Sequence, residues 1–156
     1  MRFLILFFLL SVIFSCKTQK NNNNCIFKKK KQVEESNLND ELAGSIYDFT
    51  KKEITSDSIT IIDAKIIGNK LHLNVSYSGG CKNHDFKIIG NSLISKSLPP
   101  IRSVRLIHYA NNDECKKLIL GNLIIDITEL AYKKESGSEI YLQLEGVKER
   151  LLFTFE

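Results

Sequence analysis

The 156-residue sequence is bounded first by what it does not contain. No apolar run reaches the roughly 20 residues that a membrane-crossing helix requires, because the N-terminal stretch beginning at Phe3 has met Lys17 by then. No charge of one sign dominates: 22 Lys and Arg against 18 Asp and Glu leave a formal charge of +4, too mild and too mixed to point to a nucleic-acid partner. There is no Gly-x-Ser-x-Gly elbow, no His-Glu-x-x-His helix, no phosphate-binding glycine loop and no dinucleotide fingerprint. Asp63, Asp85, Asp113 and Asp126 are scattered, with no two at a separation suited to acid–base work, and they read as solvated turn and edge residues. No repeat of 20 to 50 residues is present, which excludes a solenoid or propeller. No long amphipathic helical pattern is present either, which argues against alternating βαβ units.

What is present begins at the N-terminus. Arg2 precedes the apolar run Phe3 to Leu10, and Ser11-Val12-Ile13-Phe14-Ser15 leads to Cys16. A short cationic segment, an apolar segment of about a dozen residues and a small residue before the cut are the three parts of a secretory signal. Ile13-Phe14-Ser15 before Cys16 resembles the lipobox of bacterial lipoproteins, with Phe14 bulkier than the small residue usual there. The resemblance implies that residues 1–15 are removed and that Cys16 becomes the lipid-modified N-terminus. Each acyl methylene buried in a membrane then contributes roughly 0.8 kcal/mol. The membrane is thus the expected partner, reached through Cys16, and the bacterial envelope the expected location, facing the periplasm or the exterior.

Residues 16–40 contain four consecutive asparagines, Cys25 and the lysine run 28–31, with few large apolar side chains. Such a segment does not offset its own ordering entropy and reads as a tether. The lysines fit a solvated linker; close to anionic headgroups each would contribute about 1 kcal/mol to surface attachment. Cys25 reads as an unpaired thiol, with intermolecular pairing as the alternative.

Residues 41–156 read as one all-β domain, an antiparallel sandwich of Ig-like or Greek-key type with about seven strands. Leu71, Leu73, Val75 and Tyr77 alternate with His72, Asn74 and Ser76, the pattern of a half-buried strand. The β-branched run Ile59 to Ile67 precedes it across Gly68-Asn69-Lys70, a hairpin-length connection. Further strands are expected at Asp85 to Ile89, Ser103 to Tyr109, Leu118 to Ile127, Ile140 to Leu144 and Leu151 to Phe155. Turns are expected at Gly90-Asn91, Pro99-Pro100, Asn111-Asn112-Asp113, Ser136-Gly137-Ser138 and Gly146. Ile46 to Phe49 is ambiguous, and Thr128 to Tyr132 suits one helical turn. Tyr77, Phe86, Phe153 and Phe155 fall at core positions, whereas Tyr109 and Tyr141 suit an exposed contact surface.

The chemistry-bearing segment is Gly79-Gly80-Cys81-Lys82-Asn83-His84-Asp85-Phe86, with His108 and Cys115 further on. Glycines after a strand permit a turn with positive φ. One reading is a disulfide between Cys81 and Cys115, stabilising by roughly 3 to 4 kcal/mol in the chain-entropy model. In that case His84 donates to a loop carbonyl and His72 is exposed on the polar face. The alternative is a zinc or copper site formed by Cys81, His84, His108 and Cys115. Strand parity supports it to the extent that His84 shares a face with Phe86 and Ile88, and His108 with Val104 and Leu106. A Cys81–His84 nucleophile is a third reading, disfavoured because a catalytic thiol must stay reduced.

The Gly-Gly-Cys-x-x-His-x-Phe segment, the Leu-x-His strand, the Asp-x-Cys turn and the Asp126-Ile127-x-x-Leu130 segment together resemble a group of small uncharacterised bacterial envelope lipoproteins. The resemblance spans roughly residues 59–156. It implies location and a β-rich domain, with no activity to transfer. The expected function is therefore a membrane-anchored, non-catalytic envelope structural or interaction module without a cofactor, its protein partner unspecified. Metal binding is the alternative, and a hydrolase of unrecognised constellation a remote third.

Overall fold

The computed structural model describes residues 36–37, 42–51 and 53–156. The signal segment 1–15, Cys16, Cys25 and the lysine run therefore lie outside the described residues. Among the described residues no helix is long and apolar enough to cross a membrane.

Alternation of apolar side chains builds the long strands. In β5 (Lys70–Gly79), Leu71, Leu73, Val75 and Tyr77 are buried while the intervening residues face outward. Strand β4 (Thr60–Ile67) returns along it antiparallel, with Ile67 opposite Lys70, so the Gly68-Asn69 hairpin forms as the sequence implies. On the other side of β5 lies β8 (Lys117–Asp126), antiparallel over ten residues. The short strands β1 (Ser36–Asn37) and β2 (Leu42–Ala43) run parallel to β8 at its far edge. These five strands make the first sheet.

The second sheet contains β3 (Ser45–Tyr47), β6 (Asp85–Ser95), β7 (Ile101–Tyr109), β9 (Glu139–Leu144) and β10 (Leu151–Thr154), in the order β10-β9-β7-β6-β3. The two sheets enclose one core. Leu71, Leu73, Val75, Ile119, Leu123 and Ile125 enter it from the first, and Phe86, Ile88, Val104, Leu106, Ile140, Leu142, Leu144 and Phe153 from the second. At about 1.5–3 kcal/mol for each large aliphatic or aromatic side chain removed from water, this stripe is the main favourable term in folding.

The seven strands β4 to β10 are those expected from the sequence. The structure differs from expectation in three respects. First, pairing is mixed: β7 runs parallel to β9 and β3 parallel to β6, because the chain visits the first sheet through β8 between β7 and β9. Second, Gly90-Asn91 is not a turn. Strand β6 continues to Ser95, with its register against β7 shifting between Gly90 and Ile94. Third, Ser36–Asn37, expected in the tether, pair with Gly121 and Asn122.

Gly90 has a packing role. A Cβ there would lie 2.7 Å from both Arg102 Cδ and Leu130 Cδ2. Arg102 itself points inward from β7 and is buried. Its guanidinium donates to the carbonyls of Leu130 (3.1 Å), Asn91 (2.6 Å) and Ala131 (3.4 Å). Burial pushes its pKa below the ordinary arginine value. Leu130 belongs to a 3₁₀ turn (Thr128–Leu130), the expected helical turn, whose Thr128 N–H is held by Asp126 Oδ1 at 2.8 Å. Arg102 thus ties the β6 irregularity to this turn and closes one end of the sandwich.

Gly90→Ala should lower unfolding free energy by about 1–3 kcal/mol through overpacking, whereas Phe153→Ala should cost about 3–5 kcal/mol through a core cavity. Denaturant midpoints at constant m-value test both. A neutral Gly90→Ala would show that Arg102 is not fixed in place.

Candidate functional site

The opposite end of the sandwich is where the chain crosses between sheets twice. The β5–β6 loop leaves the first sheet for the second, and the β7–β8 loop returns. The β5–β6 loop carries Cys81 and His84, the β7–β8 loop carries Cys115, and His108 lies near the end of β7 (Ile101–Tyr109). The β5–β6 loop is shaped by two glycines: Gly80 adopts φ +109°, open to glycine alone, and a Cβ on Gly79 would lie 2.5 Å from the His84 ring. In the β7–β8 loop, Asn111 and Asn112 both take positive φ (53° and 56°), and the Asp113 N–H returns to the Ala110 carbonyl at 2.9 Å. That is a tight turn of the kind asparagine tolerates.

Cys81 and Cys115 form a disulfide across the two loops, with Cα atoms 5.9 Å apart. The carboxylate of Asp113 lies beside it with no exposed side-chain surface. Its Oδ1 accepts the Cys115 N–H at 2.9 Å. Its Oδ2 accepts the N–H groups of Cys81 (2.9 Å) and Lys82 (3.0 Å) and contacts His84 Nε2 at 3.2 Å. His84 Nδ1 in turn lies 2.7 Å from His108 Nε2, and His108 Nδ1 lies 3.2 Å from the Ser58 carbonyl. Tyr77 and Phe86 pack around the two rings, with Phe86 stacked on His108 at 5.1 Å.

Proton positions follow from the chemistry of the end groups. Asp113 only accepts, so His84 donates from Nε2. One proton is shared between its Nδ1 and Nε2 of His108. A second proton on His108 would complete the Ser58 contact. Burial, reinforced by the adjacent His84, opposes that charge and holds His108 below the ordinary histidine value, against smaller upward pulls from Ser58 and Asp57. Asp113 is held well below the usual carboxylate range, chiefly by the Cys115 N–H and further by those of Cys81 and Lys82 and by His84. Together they outweigh the upward push of desolvation.

Cys81 is joined to Cys115 and His84 to His108, and the two pairs are linked through Asp113 rather than gathered as one ligand set. Both sulfurs share a bond and His84 Nε2 is engaged with Asp113, so the alternative Cys2His2 metal site is not formed. The same bond removes Cys81 as a nucleophile. His84 bonds Asp113 and His108 rather than the expected loop carbonyl, because both partners sit within ring reach of the crossover. Asp113, expected to be a solvated turn residue, is the centre of the cluster. The available signal was its position two residues before Cys115, where an aspartate carboxylate caps the following backbone N–H. Ser56 and Asp57, from a stretch without alternation, were also missed: Ser56 Oγ accepts the His108 N–H at 3.0 Å, and the Asp57 N–H donates to the His108 carbonyl at 2.8 Å. His72 is half-buried rather than exposed, and Asp85 and Asp126 accept hydrogen bonds from Asn111 and Thr128.

Two open grooves lie nearby. One of about 480 Å³ is flanked by Ser56, Asp57, Arg105 and Glu145; the other, about 340 Å³, lies between Tyr47, Lys87 and Tyr109. In the first, Arg105 Nε meets Glu145 Oε2 at 2.6 Å and Asp57 Oδ2 accepts the Ala110 N–H at 2.7 Å. Its charges are thus directed at partners within the protein.

No protein-family model matches the chain, and neither does any curated protein. Among solved structures, the fold is similar to that of a NigD-like immunity protein from Bacteroides caccae. The TM-score is 0.50 at 16% identity, over 67% of this chain and 52% of that one. It is also similar to a protein of unknown function from Bacteroides vulgatus, with TM-score 0.50 at 12% identity, over 74% of this chain and 56% of that one. The chain spans about half the length of each. These likenesses place it among small two-sheet β folds.

Acid should destabilise the fold. The unfolded chain takes up protons at His108 near pH 6.5 and at Asp113 near pH 3.8, while the folded chain resists both. The stability they contribute is full above about pH 6.5 and is lost as pH falls, first through the histidine range and then through the carboxylate range. Denaturant midpoints should hold from about pH 8 to about pH 6.5 and then fall down to about pH 3. His108→Phe keeps a stacked ring but leaves His84 Nδ1 unbonded, which should cost about 1–3 kcal/mol and flatten the upper part of that profile. A midpoint that rises on acidification contradicts the assignment. Reducing the disulfide should cost about 3–4 kcal/mol for a separation of 34 residues, read as a lower midpoint with two additional titratable thiols.

Proposed function

We propose that this protein is an envelope lipoprotein, anchored through acyl chains on Cys16, whose sandwich acts by contact rather than by catalysis. We place it with the small envelope lipoproteins that its Gly79 to Phe86 segment resembles. The observation that carries the non-catalytic part is the engagement of the Cys81–Cys115–His84–His108–Asp113 cluster. Every chemically capable group in it is tied to another group of the same fold, and the two rings and the carboxylate are closed to solvent. A disulfide persists in oxidising compartments and is rare in reducing ones, which supports the envelope location. A fold shared with a protein described as an immunity protein is in keeping with a role outside catalysis.

The anchor is tested by detergent phase partitioning of cell-derived protein, beside mass spectrometry of its N-terminus. The wild type should enter the detergent phase and begin at an acylated Cys16, and Cys16→Ser should move to the aqueous phase. A wild type that keeps residues 1–15, or a Cys16→Ser variant that partitions unchanged, refutes the anchor. Turnover of model ester, peptide or glycoside substrates that is abolished by His84→Gln in a folded variant would refute the contact role.

A further inference from the structure

Among the described residues the first sheet ends on β4, which pairs there with β5 along one side and with no strand along the other. Most edges in the molecule are short: β3 has three residues, β10 four, and β1 and β2 two each. Strand β4 has eight, Thr-Ile-Ile-Asp-Ala-Lys-Ile-Ile, with neither proline nor glycine. A strand edge of this length presents unpaired backbone donors and acceptors and is a template for another strand. Two large apolar side chains are also exposed on it, Ile62 at 59% and Ile67 at 55%.

Its charges are arranged symmetrically about one residue. Asp63 lies opposite Asn74 and Lys65 opposite His72, so both project on the outer face of the sheet, on either side of Ala64. A second β4 laid antiparallel with its Ala64 opposite this Ala64 sets Asp63 against Lys65 of the second copy, and Lys65 against Asp63 of the second copy. Opposite charges directly across an antiparallel pair attract, and like charges there repel. The irregularity between Ile61 and Asp63 leaves Asp63 to Ile67 as the regular stretch, and Ala64 lies within it.

We infer that the free edge of β4 is an interface for a second copy of this chain, joined antiparallel about Ala64 through two symmetric Asp63–Lys65 pairs. The result is a closed twofold dimer in which the first sheets of both copies form one continuous sheet, each copy using the same patch. The inference does not rest on the lipid anchor or on the contact role, since it uses only the edge and its sequence.

Sedimentation equilibrium of the purified full chain tests it, with circular dichroism confirming that each variant is folded. The wild type should be a dimer. Lys65→Asp places acids against acids and Asp63→Lys places lysines against lysines, so each should weaken dimerisation by about tenfold or more. The double exchange Asp63→Lys with Lys65→Asp restores opposite charges in the same register and should recover the dimer. A monomeric wild type overturns the inference. So does a dimer indifferent to both single reversals, a double exchange no better than the singles, or an edge that pairs only with a strand of a different protein.

Discussion

The carboxylate of Asp113 is the constraint on which this end of the molecule depends. It gathers backbone N–H groups from both crossover loops, two from the β5–β6 loop and one from its own, and it orients His84. Without it, the half-buried Cys115 N–H and the buried His84 ring would need other partners, and unsatisfied groups in such surroundings are costly. The disulfide restrains the same two loops covalently. The two devices act on different quantities: the cystine limits the freedom of the unfolded chain, whereas Asp113 and the histidine pair fix the geometry of the folded one.

Strand β7 shows how the sandwich is closed at both ends. Its inward face reads Arg102, Val104, Leu106, His108, so two apolar residues in the middle are flanked by one polar group toward each end. Arg102 reaches the carbonyls of Asn91, Leu130 and Ala131, and His108 reaches His84, Ser58 and, through its backbone, Ser56 and Asp57. A core open at its ends would admit water beside Phe86 and Leu142. Here the ends are sealed by polar side chains whose hydrogen bonds are met inside the protein, which is the condition for burying them at tolerable cost. This arrangement explains how two histidine rings are buried at the end of an otherwise apolar core.

The strands were legible in the sequence, and so was the neighbourhood of the cluster. Alternation in Leu71 to Tyr77 forces one face inward whatever lies above it. Parity likewise placed His84 with Phe86 and His108 with Leu106. The extension of β6 through Gly90 was not legible, because glycine signals both turns and close packing. Only the approach of Arg102 and Leu130 shows which applies. The parallel pairing of β7 with β9 was hidden for a similar reason, since strand order depends on crossovers between sheets that no local pattern records.

By itself, then, the sequence determined the all-β character and the inward faces of the strands, because these depend on composition and on a period of two along the chain. Tertiary structure alone decided between cystine and metal ligation, gave Asp113 its role and bonded His84 to His108. Those outcomes depend on distances between residues some 24 to 34 positions apart, and such distances are set only when two loops cross the same end of a closed sandwich.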